Sequence, residues 1–226
     1  RGLSFDTVLF TNLSRDHIGG VEHPDFQHYR DCKRSLFTDY PTGLAVCNRD
    51  DPHGAYMMES VTAPVVSYGL QKDGGALPRW YAEDIRPHCK DSRPGVVFRV
   101  YRDGNPFDGD WFLPLPGDFN VQNALGVLAV VCESFGVSAD TARHGLESAV
   151  AEGRFEVITH PALPSVSFVI DYAHNDVSFA SLLSTLRGYE HKRIIVVFGA
   201  GGDRCHTGGT QTVDGGLQIG QCGFKF

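Results

Sequence analysis

Three short apolar segments of the sequence each run directly into a cluster of polar side chains. FDTVLF leads into residues 12–17, GLAVC into residues 48–51, and SVSFVI into residues 171–175. Each segment has the length and β-branched character of a buried strand. Ligands of open α/β sheets bind outside the carboxyl ends of the strands. The pattern therefore predicts an α/β fold with a ligand cleft where these strands end.

Two stretches between the predicted strands have helical spacing. In HPDFQHYRDCKRSLF, residues 26, 29, 33 and 37 fall on one face, so Lys33 lies among aromatic side chains. In GDFNVQNALGVLAVVCESFG, we expect a buried face made of Leu125, Leu128, Val131 and Phe135. Ser138 is a candidate N-cap for a further helix.

The remaining segments divide into two kinds. PVVSYGL, GVVFRVYR and WFLPL, within residues 56–116, are short β-prone runs between Gly, Pro and Asp clusters, which predicts a small antiparallel sheet. From about Gly153, the order SVSFVIDYAHN, DVSFASLLSTLRGY, KRIIVVFGAGGDR predicts a strand, a helix and a strand. Such a βαβ unit implies that its two strands pair in parallel.

Composition excludes several classes of partner. The chain has 20 basic and 27 acidic side chains and a formal charge of -7, which argues against nucleic acid binding. Its six cysteines form no C-x-x-C pair, which favours a reducing, cytoplasmic compartment over a disulfide framework or a zinc knuckle. No apolar run reaches the roughly 18 residues that cross a bilayer, so no membrane partner is expected.

The polar clusters also have structural interpretations. Asn and Asp after a strand commonly satisfy backbone groups of a turn, and a lone lysine on a helix is commonly a surface residue. Asn120 and Asn123 could simply begin a helix, and Asp171 could cap a strand. The residues alone support only an α/β protein with a cleft for a polyanionic ligand.

Seven segments, taken in order, resemble the Mur ligase family. They are FDTVLFTNLSRDH, HYRDCKRSLF, GLAVCNRDDP, PGDFNVQNALGVLAV, GRFEVI, VIDYAHN and VVFGAGGDR. The resemblance runs from about Phe5 to Arg204 and is strongest to the branch that adds the third amino acid to the peptidoglycan precursor. It implies residues 1–152 as a partial central P-loop-type ATPase domain, and residues 153–206 as the beginning of a Rossmann-like C-terminal domain. Residues 207–226 form a glycine-rich tail that we interpret as out of frame.

The resemblance also implies an activity. Members of the family are ATP-dependent ligases that form a carbon–nitrogen bond through an acyl phosphate, and they require Mg²⁺. The implied substrates are UDP-N-acetylmuramoyl-L-alanyl-D-glutamate and a diamino acid, either meso-diaminopimelate or L-lysine. The full-length protein is expected to be a monomer in the cytoplasm.

Site residues carried over from the family fall into three groups. His17 resembles a ligand of the second magnesium, and Lys33 resembles the carbamylated lysine, whose added carboxylate can lie near a metal ion. Arg204 resembles the residue that holds a carboxylate of the incoming amino acid, and Asn12 is a further substrate contact. The ATP-binding group comprises Asn120 and Asn123 for adenine, Asp171 for ribose, His174 beside the nucleotide and Arg154 for a phosphate.

The family's phosphate-binding loop lies upstream of FDTVLFTN, and the sequence contains no G-x-x-x-x-G-K-[ST] stretch. We therefore expect this polypeptide to be an internal fragment without ligase activity. Two alternatives stay open. One is folylpolyglutamate synthetase or a cyanophycin-type ligase, which share the acyl-phosphate chemistry. The other is a non-catalytic nucleotide-binding remnant.

Overall fold

The computed structural model describes residues 2–14, 23–70, 76–91, 93–173, 176–198 and 218–221. Its main feature is a six-stranded mixed sheet whose strands lie in chain order. The first four strands pair in parallel and the last three pair antiparallel. The strands are β1 Phe5–Phe10, β2 Thr42–Asn48, β3 Val65–Gly69, β4 Trp80–Lys90, β5 Arg93–Arg102 and β6 Asn105–Leu113. Of the runs predicted as antiparallel, GVVFRVYR and WFLPL lie in the antiparallel strands β5 and β6, which continue the parallel sheet. The prediction is wrong for PVVSYGL, because β3 pairs in parallel with both β2 and β4.

Both faces of the sheet are covered by helices. The helices are α1 Phe26–Thr38, α2 Gly54–Met58, α3 Asp118–Phe135 and α4 Ala139–Glu147. Strand β2 shows how its sequence serves both layers, because successive side chains of a strand point to opposite faces. Ala45 and Cys47 belong to the core shared with α1 and α2, while Val46 belongs to the core shared with α3.

Helix α1 is capped at its start and packs three aromatic residues inward. The Asp25 carboxylate accepts a hydrogen bond from the backbone N–H of His28 at 2.8 Å, which satisfies one donor of the first turn. Phe37 is buried in the core beneath α1 and α2, and Phe26 and Tyr29 pack against its edge. Lys33 is exposed on the same helix.

Helix α3 lies across the parallel strands, but its buried face differs from the predicted one. Leu125 and Leu128 are fully buried as expected, whereas Phe135 is 64% exposed. The final turn of α3 lies beside a surface cavity of about 560 Å³ at the amino ends of β1 and β2, and Phe135 lines it. The helix therefore continues past the surface that it packs against.

A buried ion-pair cluster fixes α3 against the antiparallel strands. The side chain of Glu133 is 10% exposed and lies 3.0 Å from the guanidinium of Arg102 and 3.3 Å from that of Arg79. It also accepts a hydrogen bond from the indole N–H of Trp80 at 2.9 Å. A carboxylate this buried requires such partners, so the cluster defines how α3 sits on β4 and β5.

A smaller second unit follows α4. It contains β7 Glu156–His160, β8 Leu163–Ile170, α5 Asp176–Arg187, β9 Ile195–Phe198 and β10 Gln218–Gln221. The predicted strand–helix–strand order is present, but the expected parallel pairing of β8 with β9 is wrong within the described residues. β8 pairs antiparallel with β7, and β9 pairs in parallel with β10. Only two residues separate β7 from β8, so a local hairpin costs less loop-closure entropy than a crossover pairing.

Cys32, Cys47, Cys89 and Cys132 are free. In the part of the chain described, no helix is long and apolar enough to cross a membrane.

Candidate functional site

The carboxyl ends of β1 and β2 are joined by side chains of the loop that follows β2. Asn48 is 2% exposed, and its amide donates a hydrogen bond to the carbonyl oxygen of Thr11 at 2.7 Å. Asp51 accepts hydrogen bonds from the backbone N–H groups of Leu13 at 3.0 Å and His53 at 2.8 Å. These contacts hold the segment after β1 against the end of β2.

The same loop reaches β3 and the first turns of α3. One oxygen of the Asp50 carboxylate accepts hydrogen bonds from the backbone N–H of Leu70 at 2.5 Å and from the side-chain amide of Gln122 at 2.7 Å. The Gln122 amide also lies 3.4 Å from the side-chain oxygen of Asn48. We call Asn48, Asp50, Asp51 and Gln122 the strand-end network. Asn48, Asp50 and Asp51 satisfy backbone groups, as the turn interpretation of residues 48–51 predicts, whereas Gln122 donates to side-chain oxygens of Asn48 and Asp50.

Asn12 occupies an anchored position at this edge. It lies between Thr11 and Leu13, whose backbone groups are bound by Asn48 and Asp51 respectively. The Asn12 side chain itself is exposed. A fixed backbone with an exposed amide is suited to contacting a ligand that binds at the end of β1.

Asn120 and Asn123 lie on either side of Gln122 in the first turns of α3. The Asn120 amide donates a hydrogen bond to the carbonyl oxygen of Pro116 at 2.8 Å, so this side chain stabilises the start of the helix. Asn123 is exposed. The strand-end network thus brings these two asparagines to the same sheet edge as Asn12. Gln122 was missed in the sequence because a glutamine within a helix carries no signature of its own.

Lys33 lies on the exposed side of α1, where its Nζ is 5.3 Å from the centroid of the Tyr29 ring. Tyr29 packs against the core under α1, so the ring gives the lysine a fixed neighbour. Lys33 is therefore near an aromatic ring, but the prediction that it lies among the aromatic residues rather than on the solvated side of α1 is wrong, because its side chain is exposed. A solvent-accessible amine is also open to carbon dioxide, which a carbamate requires.

In the second unit, Asp171 connects the end of β8 to the start of β7. Its carboxylate accepts hydrogen bonds from the backbone N–H groups of Phe155 and Ala173, each at 2.8 Å and each to a different oxygen. Arg154 is exposed, with its guanidinium carbon 4.9 Å from the centroid of the Tyr172 ring. Each Asp171 oxygen can accept a further hydrogen bond, so its structural role leaves capacity for a ligand.

The two units meet near the start of α3. The Tyr189 hydroxyl, just beyond α5, donates a hydrogen bond to the carbonyl oxygen of Gly95 at 2.6 Å. Burial raises the pKa of Tyr189 to about 12, so this hydroxyl keeps its proton. Gly117, immediately before α3, has a φ of +102°, and a Cβ there would lie 3.0 Å from the Thr185 hydroxyl of α5. The first turns of α3 are therefore close to the second unit.

Three predicted site residues, His17, His174 and Arg204, lie outside the described residues. The cavity of about 560 Å³ at the amino ends of β1 and β2 is lined by residues that include Ser4, Asp6 and Thr42, and by none of the predicted site residues. Of the described candidates, Asn12, Asn120 and Asn123 lie at the opposite, carboxyl edge of the sheet, whereas Lys33 is on α1 and Arg154 and Asp171 belong to the second unit.

Two family models match the chain in consecutive order. Residues 1–131 match the Mur ligase middle domain, and residues 153–214 match the Mur ligase glutamate ligase domain.

Curated relatives agree with these matches. The chain is 30% identical over 209 residues to the UDP-N-acetylmuramoyl-L-alanyl-D-glutamate–2,6-diaminopimelate ligase of Clostridium perfringens, covering 90% of the chain and 40% of that protein. It is 32% identical over 203 residues to the UDP-N-acetylmuramyl-tripeptide synthetase of Lactococcus lactis, covering 90% of the chain and 38% of that protein. The chain thus spans about 40% of the length of the curated relatives that it matches.

Solved structures show the same architecture. A UDP-N-acetylmuramoyl-L-alanyl-D-glutamate–2,6-diaminopimelate ligase superposes with a TM-score of 0.65 at 27% identity, over 88% of this chain and 39% of that one. The apo form of FPGS from L. casei gives the same TM-score of 0.65 at 16% identity, over 86% of this chain and 45% of that one, which shows a shared fold alone. The middle-domain match by itself spans more than half of the 226 residues, and the glutamate ligase match follows it in order. This chain belongs to the Mur ligase family.

Proposed function

We propose that this chain is part of an ATP-dependent ligase that joins a diamino acid to UDP-N-acetylmuramoyl-L-alanyl-D-glutamate. The observation that carries the proposal is the match to relatives named for this reaction, at 30–35% identity over about nine-tenths of the chain. Both family models describe domains of Mur ligases, so membership of this family of amide-bond ligases does not depend on which amino acid is joined. The choice between meso-diaminopimelate and L-lysine stays open, since one relative is named for 2,6-diaminopimelate and another only as a tripeptide synthetase.

The chemistry defines what the chain has to supply. A carboxylate is a poor electrophile, so the ligase first transfers the γ-phosphoryl group of ATP to it, and the resulting acyl phosphate is attacked by the incoming amine. A tetrahedral intermediate then expels phosphate. Mg²⁺ supplies charge neutralisation between the phosphates and the carboxylate. The protein must therefore hold adenosine, present metal ligands and orient two anionic substrates.

The described residues fit the nucleotide part of this task. We assign Asn123 and Asn120 to the adenine and Asp171 to the ribose hydroxyls. Asn123 is exposed at the start of α3, and Asp171 retains one acceptor position on each oxygen after binding Phe155 and Ala173. Asn120 already donates to Pro116, so only its remaining polar groups are available to a base.

The charged residues are assigned by their chemistry. Arg154 is exposed where the second unit begins and can reach a phosphate, and His174 follows Asp171 closely in the sequence. A carbamate on Lys33 and the imidazole of His17 would hold the second Mg²⁺, for which the carbamate provides the oxygen donor that this hard ion prefers. The exposure of Lys33 is compatible with that modification.

The substrate contacts complete the assignment. Arg204 would hold a carboxylate of the diamino acid through a bidentate pair, and Asn12 would contact the muramoyl substrate at the end of β1. We propose residues 1–152 as the central domain, residues 153–206 as the start of the C-terminal domain and residues 207–226 as a separate tail. ATP, Mg²⁺ and the two substrates are the proposed ligands of the full-length, monomeric, cytoplasmic protein.

Nucleotide binding tests the proposal most directly. Isothermal titration calorimetry of the 226-residue chain should show that ATP with Mg²⁺ binds at least about tenfold more tightly than GTP with Mg²⁺, a difference of about 1.4 kcal/mol. Equal affinities for the two nucleotides would overturn the adenine assignment and with it the proposed function.

A chemical change in the ligand isolates Asp171. We expect 2′,3′-dideoxy-ATP to bind the wild-type chain about tenfold more weakly than ATP, because a charged hydrogen bond to a hydroxyl contributes about 1.5–3 kcal/mol. The Asp171→Asn chain should discriminate less between the two nucleotides, while Asp140→Asn, an exposed change on α4, should behave as the wild type. Unchanged discrimination in Asp171→Asn would show that ribose is bound elsewhere.

Catalysis by the polypeptide is a separate measurement. We propose that the 226-residue chain releases no phosphate from ATP when it is given Mg²⁺, the dipeptide substrate and a diamino acid, because its sequence contains no G-x-x-x-x-G-K-[ST] stretch to hold the γ-phosphate. ATP-dependent phosphate release above the no-enzyme rate would contradict this part of the proposal.

A further inference from the structure

A cluster of three potential metal ligands lies where the chain enters α1. The Nδ1 atoms of His23 and His28 are 3.1 Å apart, and the Cys32 Sγ lies 3.8 Å from each ring nitrogen of His28. One ligand atom from each of the three residues can be chosen so that all lie within 4.8 Å of one another. His28 and Cys32 are exposed, and His23 is half-buried.

The distances match those expected around a tetrahedral metal ion. Zn–N bonds of about 2.0–2.1 Å and Zn–S bonds of about 2.3 Å place two nitrogen ligands about 3.3 Å apart, and a nitrogen and a sulfur about 3.6 Å apart. The observed separations of 3.1 and 3.8 Å are each within a few tenths of an ångström of these values. The third pair, His23 and Cys32, has its ligand atoms within 4.8 Å of each other, so the three side chains lie close enough to share one ion with its fourth position open to solvent.

Local structure explains why the ligands converge. His28 and Cys32 are four residues apart on α1, so they are neighbours on one face of the helix. His23 precedes the helix, and its ring packs edge-on against Tyr29 with the centroids 4.9 Å apart. The Asp25 side chain caps α1 through the N–H of His28. The helix start and the two imidazoles are therefore positioned by protein contacts.

A hydrogen bond between the two imidazoles would explain why His23 approaches His28, but it does not require a thiol beside them. Cys32 is the observation that favours a metal, since an N₂S set of ligands suits Zn²⁺ and related transition metals and is poorly suited to Mg²⁺. The thiol would release its proton to solvent on binding, and both imidazoles would bind as neutral rings. This donor set differs from the oxygen donors assigned to Lys33.

We propose that His23, His28 and Cys32 form a Zn²⁺ site at the start of α1. A metal bound there ties the segment before the helix to its second turn, and Cys32 directly precedes Lys33 in the chain. The inference stands independently of the proposed ligase activity.

Metal titration tests the site, with Co²⁺ as a spectroscopic substitute for Zn²⁺. The metal-free chain should bind one Co²⁺ with a thiolate-to-cobalt charge-transfer band and the intense visible absorption of a tetrahedral ion, and Zn²⁺ should displace it. Cys32→Ser should lose the charge-transfer band. His28→Ala and His23→Ala should each bind Zn²⁺ about 100-fold more weakly, because each loses one of three protein ligands.

Matched controls come from an exposed His–Cys pair on β4. Cys89→Ser and His88→Ala change the same residue types away from α1 and should retain wild-type Zn²⁺ affinity. Residue-specific alkylation gives a second readout: Zn²⁺ should slow the reaction of iodoacetamide with Cys32 and leave that with Cys89 unchanged. Retention of the charge-transfer band in Cys32→Ser, or equal Zn²⁺ affinity in the α1 variants and the controls, would overturn the proposal.

Discussion

Replacement of Asn48 by alanine tests whether the strand-end network holds the candidate site together. Asn48 is 2% exposed, its amide donates to Thr11, and its side-chain oxygen accepts from the backbone N–H of Asp50 at 3.0 Å. The variant leaves that carbonyl and that N–H without their partner. Gln122 keeps its hydrogen bond to Asp50, so it adds little to the loss.

The expected cost follows from the number of groups left unpaired. An unsatisfied buried polar group costs about 1–3 kcal/mol, and the lower half of that range applies because the Thr11 and Asp50 positions are half-buried. Two such groups, at about 1–2 kcal/mol each, reduce the free energy of unfolding by about 2–4 kcal/mol. With a urea slope of about 2–3 kcal/mol/M, the denaturation midpoint should fall by about 1 M.

The assay uses the two tryptophans of the chain. Trp80 and Trp111 are both fully buried in the core beneath α3, so their fluorescence reports unfolding of the six-stranded sheet. Asn12→Ala is the matched control, because it removes an exposed asparagine at the same edge and should change stability by less than about 0.5 kcal/mol. If Asn48→Ala unfolds at the same urea concentration as Asn12→Ala, the network does not stabilise this edge.

Two further predictions concern other parts of the fold. Tyr189→Phe removes the hydroxyl that donates to Gly95 and should reduce the free energy of unfolding by about 1 kcal/mol; unchanged amide hydrogen exchange in α5 and β5 would contradict the contact. Burial raises the pKa of the Cys47 thiol to about 12 from a usual value near 9.0, so above pH 9.0 the unfolded chain loses a proton that the folded chain retains. The free energy of unfolding should therefore fall as the pH rises from 9.0 to about 12. In urea titrations at a series of pH values, Cys47→Ala should lose less stability over this range than the wild type. The same pH dependence in both chains would be inconsistent with this assignment.

The parallel half of the main sheet was predictable because its residues follow simple periodicities. In β2, Ala45, Val46 and Cys47 are all buried, as a strand covered on both faces requires, and the apolar run alone indicates this. The helix after β1 was predictable from aromatic residues at spacings of three and four. These elements depend on local sequence, which a single chain displays directly.

Strand β4 was missed because its sequence contradicts the usual pattern of a strand. It contains Pro87 and the charged run Glu83–Asp84, and Asp84 has a φ of +54°. The structure accommodates these residues by a bulge between Glu83 and Arg86. Of the β4 residues, only Trp80 and Tyr81 pair with β3, so the rest of that edge is unpaired on the β3 side. A strand can contain a proline or a bulge where one of its edges is unpaired, and the sequence alone does not show which edge of β4 is paired.

The sequence showed which polar residues belong to the candidate site, but it did not show which of them contact one another. The sequence marks the clusters after β1, β2 and β8, yet the partners of Asp50 are Leu70 and Gln122, which are 20 and 72 residues away. Asp171 binds backbone groups and is also a candidate ligand for ribose, so the structural interpretation and the functional one are compatible. Roles that depend on distant partners become visible only in the folded chain.

The strand-end network has a mechanical consequence. The loop after β2 is bonded at once to the segment that carries Asn12 and, through Gln122, to the helix turns that carry Asn120 and Asn123. The segment that carries Asn12 and the first turns of α3 are therefore expected to move together rather than separately. A ligand at Asn12 and a ligand at Asn123 would therefore bind to one framework whose two parts the same hydrogen bonds hold in place.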